Sequence, residues 1–208
     1  MQTTQSFRAV AGAVCATAAT LLAVPVQAAL QDRDLNGDSV VDAFYDTDLN
    51  ITWLRDANVN GAMDWSTAVA WADGYSFGGY SDWRLPTSDS CYGDNCTGSE
   101  MGHLWYVELG NAAPGPMTNM GDFQNLSANP ILGNFGFYWS GTTDATESSF
   151  AHNFFMYWGS QGSILKSAYG YALAVRDGDV AAVPEPTSYA LLLVGLAGLA
   201  VRTRIHRR

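Results

Sequence analysis

Two runs of acidic and amide side chains are spaced in a way that could bind a metal ion. Each run places oxygen-bearing side chains at alternate positions and again four residues later: Asp34, Asn36, Asp38 and Asp42, then Asp56, Asn58, Asn60 and Asp64. A hard cation such as calcium needs that density of oxygen ligands, so both runs are candidate calcium loops. Both lack the Glu that closes an EF-hand loop, because Tyr45 and Thr67 stand at that position. Ordinary turns of Asp, Asn and Gly are the alternative.

Two cysteines, Cys91 and Cys96, lie close together in the middle of the chain, whereas Cys15 lies in an apolar N-terminal segment. In an oxidising compartment, a close pair of this kind is typical of a disulfide that closes a short loop. A zinc site would need His103 and a carboxylate as further ligands. We therefore predict the disulfide.

Catalytic patterns are weak in this sequence. His103 and His152 are the histidines of the central region, neither has an evident Ser or Cys nucleophile, and His103 is interpreted as structural. Residues 74–78 match the Gly-x-Ser-x-Gly pattern, but they follow a predicted helix rather than the strand that this motif requires. We predict a protein that is not an enzyme. The alternative is a secreted enzyme that acts on carbohydrate through carboxylates such as Asp82 and Glu100.

The stretch that must position these candidates is residues 78–87, in which Trp83 and Leu85 alternate with Arg84. This period of two predicts a central strand with one buried face. Arg84 is interpreted as an anchor that ties two loops together through a carboxylate, and Asp82 is a candidate partner for the charge of Arg84 or of Arg176.

Two short helices are predicted on either side of the cysteine pair. The first has Ser66 or Asp64 as its cap and ends at Gly74. The second begins with a capping box of Thr97 and Glu100, whose side chains would bind free amides of the first turn.

Short apolar and aromatic runs between turn residues predict the strands. The predicted strands are residues 49–54, 137–142, 150–158, 164–166 and 171–176, with a hairpin turn at residues 159–162. The expected fold is α+β and loop-rich.

The N-terminal segment and the central domain have different compositions. Residues 1–28 have a basic start, an apolar stretch and a small-residue end, which is typical of a secretory signal peptide. Residues 29–182 form the predicted domain, with nineteen Asp and Glu against five Lys and Arg, a formal net charge of −14. A surface of that charge repels phosphate backbones, so nucleic-acid binding is not expected.

The C-terminal segment, residues 183–208, begins with three motif residues, Pro184, Glu185 and Pro186. An apolar run follows over residues 189–201, and then four arginines. A permanent span needs about 20 apolar residues, so this segment suits a transient membrane insertion and a sorting role. It resembles the PEP-CTERM sorting signal. The resemblance implies Sec export, processing by an exosortase, and delivery to the outer surface or exopolysaccharide matrix of a Gram-negative bacterium.

The central domain resembles the Lcl C-terminal domain family, a domain of unknown function. The residues that carry the resemblance are Trp83, Arg84, Leu85, Pro86, Thr87, Tyr138, Trp139, Ser140 and Arg176. The family is similar to C-type lectin-like folds, which implies two short helices beside small mixed or antiparallel sheets. It has no agreed catalytic residues to assign here.

Aromatic side chains are the candidates for binding a glycan, because their faces stack on sugar rings. The candidates are Tyr92, Trp105, Tyr106, Tyr138, Trp139, Tyr157 and Trp158, and burial of most of them in the core is the favoured alternative. The expected function is a non-catalytic surface or matrix protein that binds glycan or envelope components. The alternatives are the secreted enzyme and a purely structural scaffold.

Overall fold

The computed structural model of the protein describes residues 30–126 and 136–180. The predicted signal peptide of residues 1–28 and the predicted sorting signal of residues 183–208, with Pro184, Glu185 and Pro186, lie outside the described residues. Within the described part of the chain, no helix has the length and apolar character needed to cross a membrane.

The first sheet joins the start of the domain to its end. Its strands are β1 (Leu30–Arg33), β2 (Ala43–Asp46), β3 (Ile51–Leu54) and β8 (Val175–Asp177), in the order β1-β2-β3-β8. All neighbouring pairs are antiparallel, and Trp53 of β3 lies opposite both Phe44 and Val175. The last strand is shorter than predicted, since Tyr171 forms only an isolated bridge to Tyr138.

The second sheet is also antiparallel, and its strands carry more aromatic residues than those of the first sheet. Its strands are β4 (Gly93–Asp94), β5 (Phe137–Thr143), β6 (Phe150–Phe155) and β7 (Ser160–Leu165), in the order β4-β7-β6-β5. The hairpin between β6 and β7 turns before residue 160, earlier than the sequence predicts. Gly159 explains the shift: its φ is +78°, and an added Cβ would lie 2.5 Å from the Trp105 ring, so only glycine fits.

Helix α1 spans Trp65–Gly74 and matches its prediction. Asp64 is the N-cap, and its side chain accepts a hydrogen bond from the Thr67 amide. The short apolar helix packs Ala68 and Ala72 into the core, which fixes the rotation of its remaining faces.

Helix α2 (Glu100–His103) continues directly into a π-helical turn, Leu104–Glu108. The predicted capping box is wrong. Ser99, not Thr97, is the N-cap, and its Oγ accepts a hydrogen bond from the Gly102 amide. Glu100 does not bind the start of its own helix, because its carboxylate is held by Arg84 and the Thr87 amide.

The core lies between the two sheets and the helices. Its largest fully buried side chains include Trp53, Trp105, Trp139, Tyr138 and Phe154. Three of the seven aromatic glycan candidates, Trp105, Tyr138 and Trp139, are therefore core residues, and Tyr106 and Tyr157 are partly buried. Tyr92 and Trp158 are exposed, at 55% and 44%.

Candidate functional site

Trp83 and Leu85 are buried at 2% and 4% exposure, and Arg84 lies between them with its side chain partly in solvent. The predicted central strand is wrong, because this segment does not form a ladder of paired residues with a neighbouring strand. Arg84 pairs with Val175 through an isolated bridge outside the named strands. The predicted alternation of buried and exposed side chains is nevertheless present. This bridge and the side-chain hydrogen bonds from Arg84 to Asp177 hold the segment against β8.

The Pro86 carbonyl connects this segment to β5. It accepts hydrogen bonds from the Ser140 Oγ at 2.9 Å and from the Gly141 amide at 2.8 Å. Nearby, the Trp139 indole donates to the Met63 carbonyl at 2.9 Å. These side chains of the family motif therefore hold loops together, and they are not presented to solvent.

Arg84 uses all five N–H donors of its guanidinium. Two donate to the Glu100 carboxylate at 2.8 Å each, two to Asp177 Oδ1 at 3.0 and 2.5 Å, and one to the Leu85 carbonyl at 3.2 Å. The Glu100 hydrogen bonds raise the pKa of Arg84 against the effect of its burial. Arg84 is the structural anchor that the sequence indicated.

Asp82 pairs with the second arginine of the motif. Arg176 donates from Nε and an Nη to the two Asp82 carboxylate oxygens at 2.9 and 2.7 Å, and its guanidinium lies 4.9 Å from the Tyr80 ring centroid. The Arg176 hydrogen bonds lower the pKa of Asp82. The two carboxylates considered for catalysis, Asp82 and Glu100, thus belong to two separate ion pairs.

A groove of about 580 Å³ lies beside this scaffold. One wall is helix α1, which presents Trp65, Val69 and Asp73 at intervals of four residues, and so on one face. The opposite wall is formed by the extended segment, including Thr87, and by Thr142 of β5. The groove therefore combines apolar walls with hydroxyl and carboxylate groups.

Of the two tryptophans that line this groove, Trp83 is buried and Trp65 is the more exposed. Its ring is half-buried, its indole donates to the Ser140 carbonyl at 2.8 Å, and Lys166 Nζ lies 4.1 Å from the ring centroid. Both contacts hold the ring in place. Sequence reasoning did not assign Trp65 to a site, because the groove forms only when α1 meets residues from distant parts of the chain.

The first acidic run forms a tight cluster. Single carboxylate oxygens of Asp34, Asp38 and Asp42 lie within 4.8 Å of one another. Burial and the neighbouring Asp38 and Asp34 charges raise the pKa of Asp42, against a hydrogen bond from the Leu35 amide. The Asp34 carboxylate accepts hydrogen bonds from the amides of Asn36, Gly37 and Ser39, which are the turn contacts named as the alternative.

The side chains of the second acidic run have different structural roles. Asp64 caps helix α1, and Asp56 Oδ1 accepts hydrogen bonds from the Asn58 amide and the Asn125 side chain. Calcium binding at both runs stays a prediction.

The predicted disulfide is confirmed, since Cys91 and Cys96 are bonded. The loop that it closes contains β4, which pairs with the edge strand β7 through Gly93 and Asp94. The disulfide thereby connects the second sheet to the start of α2.

Comparison with known families assigns both parts of the chain. Residues 42–194 match the Lcl C-terminal domain, and residues 182–208 match the PEP-CTERM protein-sorting motif. No curated protein matches the sequence. The sorting motif indicates export and sorting to the surface or membrane, and it implies processing by an exosortase. The chain belongs to the Lcl C-terminal domain family and ends in a PEP-CTERM sorting motif.

Proposed function

We propose that the protein resides on the outer surface or in the exopolysaccharide matrix of a Gram-negative bacterium. Its domain, of C-type lectin-like fold, binds a glycan or another envelope component without catalysing a reaction. The observation that carries the binding proposal is the groove between helix α1 and the segment that contains Arg84 and Thr87.

The groove has the chemistry that sugar binding uses. The half-buried Trp65 ring supplies an aromatic surface for a sugar ring. The Asp73 carboxylate and the Thr87 hydroxyl supply acceptors and a donor for sugar hydroxyl groups. Arg84 supports the groove wall, because its donors are already bound to Glu100, Asp177 and Leu85.

The carboxylates support a binding role over hydrolysis. Glycoside hydrolysis commonly needs two carboxylic groups that flank the scissile bond. Among the described residues that line the groove, Asp73 is the one that carries a carboxylate. Glu100 and Asp82 are bound by Arg84 and Arg176.

A glycan array with the exported protein, with and without calcium, tests the proposal. A groove-blocking variant, Ala70→Arg, suits the test because Ala70 is exposed, lines the groove and lies on a helix that accepts Arg well. We expect binding by the wild type to be lost in Ala70→Arg. The control Ala112→Arg places the same side chain at an exposed position outside the groove and should bind normally.

Three outcomes would contradict the proposal. Absence of wild-type binding in both calcium conditions would favour the structural scaffold. Equal binding by Ala70→Arg and the wild type would show that the groove is not the binding site. Release of new reducing ends from a bound polysaccharide would favour the enzyme. Loss of binding on calcium removal, with a matching loss in Asp38→Asn, would assign calcium to the first acidic run.

A further inference from the structure

Three side chains with metal-binding chemistry meet outside the groove, where the end of β2 meets the end of α2. They are Asp46, His103 and Glu108, and one ligand atom from each lies within 4.8 Å of the other two. Asp48 lies at the open side of this cluster, with Oδ2 4.0 Å from His103 Nε2. No residue of the cluster lines the groove, so a ligand at the cluster would bind at a different place from a glycan.

The π-helical turn is what brings His103 and Glu108 together. Residues five apart in an α-helix are separated by about 140° around the axis, since the helix has 3.6 residues per turn. Here the Leu109 amide donates to the Leu104 carbonyl at 2.9 Å, a bond between residues five apart. This wider turn moves Glu108 towards the side of the helix that carries His103. π-helical turns occur frequently at functional sites.

Asp46 is fixed by its local turn. Its Oδ1 accepts hydrogen bonds from the amides of Asp48 and Leu49 at 3.1 and 2.9 Å. Its Oδ2 lies 3.4 Å from the Trp53 indole nitrogen. The carboxylate is fully buried, so its position is set by the fold and does not depend on solvent.

Glu108 and His103 have buried polar atoms without hydrogen bonds. The Glu108 side chain is 1% exposed, and both of its carboxylate oxygens lack a hydrogen-bond partner. His103 Nε2 is also buried and without one, although it lies 3.4 Å from Glu108 Oε1. Buried polar groups are nearly always satisfied, so unsatisfied atoms on two neighbouring residues of this cluster indicate a missing ligand.

The charges at this place favour a cation. Burial raises the pKa of Glu108, and the charges of Asp46 and Asp48 act in the same direction, against His103. A buried carboxylate that stays ionised needs a partner of opposite charge. Among the described residues, the basic group that contacts Glu108 is the His103 imidazole, which faces the three carboxylates of Asp46, Asp48 and Glu108.

We propose that Asp46, His103 and Glu108 bind a divalent transition-metal ion such as zinc, with Asp48 or water completing the shell. Imidazole and carboxylate together suit such ions, whereas calcium prefers six to eight oxygen ligands. Two donors about 2.1 Å from a tetrahedral ion lie about 3.4 Å apart, which equals the distance between His103 Nε2 and Glu108 Oε1.

Titration calorimetry on the metal-stripped, disulfide-intact protein with zinc, manganese and calcium chlorides tests the proposal. We expect one zinc ion per chain, and at least about tenfold weaker binding in both Glu108→Gln and His103→Gln. Glu147→Gln changes an exposed carboxylate outside the cluster and should bind zinc like the wild type. His152→Gln removes the other described histidine and should also bind normally.

Thermal unfolding in chelator and in zinc separates a ligand role from a structural one. In chelator, Glu108→Gln should unfold no earlier than the wild type, because it removes a buried charge that has no hydrogen bond and faces the charges of Asp46 and Asp48. In zinc, the wild type should gain stability and the variant should not. No zinc binding by the wild type, unchanged binding in both ligand variants, or a loss caused by His152→Gln would each overturn the proposal. If Glu108→Gln fails to fold in chelator, that result also counts against it, and His103→Gln carries the calorimetry.

Discussion

Arg84 and Glu108 are charged side chains at least partly removed from water, and their surroundings differ. Arg84 has five hydrogen bonds for five donors, with two carboxylates as partners. Glu108 has two carboxylate oxygens and no hydrogen bond to either. The residues that identify the family are thus committed to holding loops together. The residues with unused binding capacity belong to no recognisable motif, and this difference can be tested.

The largest effect is expected from Arg84→Met, which removes the centre of the satisfied network. It leaves Glu100, whose side chain is 14% exposed, without its charge partner. Breaking a buried pair on one side is strongly destabilising, so the free energy of unfolding should fall by about 3 kcal/mol, measured by urea unfolding. Asp177→Asn is the control: its side chain is 80% exposed, and the loss should stay below about 1 kcal/mol. Equal losses would contradict the assigned roles.

The next effect tests whether the two regions are independent. Helix α2 starts with Glu100 of the satisfied network and ends with His103 of the unsatisfied cluster. Replacing Cys91 and Cys96 together by Ser releases the loop in front of this helix and should lower the free energy of unfolding by about 2 kcal/mol. Zinc affinity should fall in the same variant, because α2 carries His103. A variant of lower stability with unchanged zinc affinity would show that the disulfide supports only the Arg84 side.

Glu108→Gln should not lower the free energy of unfolding, in contrast to Arg84→Met. In chelator, removing a buried charge that has no hydrogen bond should leave the free energy of unfolding unchanged or raise it by about 1 kcal/mol. Urea unfolding of both variants side by side gives this comparison directly. A loss as large as that in Arg84→Met would mean that Glu108 has a stabilising partner, and the contrast between the two regions would fail.

The smallest expected effect is on the dependence of stability on acidic pH. Because the Arg176 hydrogen bonds lower the pKa of Asp82 in the folded protein, this carboxylate stabilises the fold above its unfolded-state pKa of about 3.9. The contribution is lost as pH falls through the lower, folded-state pKa. The Asp82 side chain is 59% exposed, so it amounts to less than about 1 kcal/mol. Asp82→Asn should weaken the acid dependence of the free energy of unfolding below about pH 4, measured by urea unfolding over a pH series.

Features governed by local chemistry were predictable from the sequence. Helix α1 follows from the Asp64 cap and the stop at Gly74, and the Cys91–Cys96 disulfide follows from spacing. The α+β class followed from short runs and turn residues. The predicted capping box failed because Arg84, sixteen residues before Glu100, competes for the same carboxylate and wins with two charge-assisted bonds.

Sites built from distant segments were not predictable. The groove forms only where α1 lies against Thr87 and Thr142. The cluster of His103 and Glu108 depends on a π-helical turn, and a spacing of five residues would indicate opposite faces in an α-helix. Hydrophobic periodicity carries no signal for either arrangement, because both depend on contacts made after the elements have formed.

The ion pair between Arg33 and Asp179 has a practical consequence. Arg33 belongs to the first strand and Asp179 lies just beyond the last one, yet their side chains are joined by two hydrogen bonds of 2.7 and 3.0 Å. The beginning and the end of the folded unit therefore lie side by side. A module of this shape can be spliced into a surface turn of an unrelated carrier through two short linkers, or rejoined end to end with new termini elsewhere.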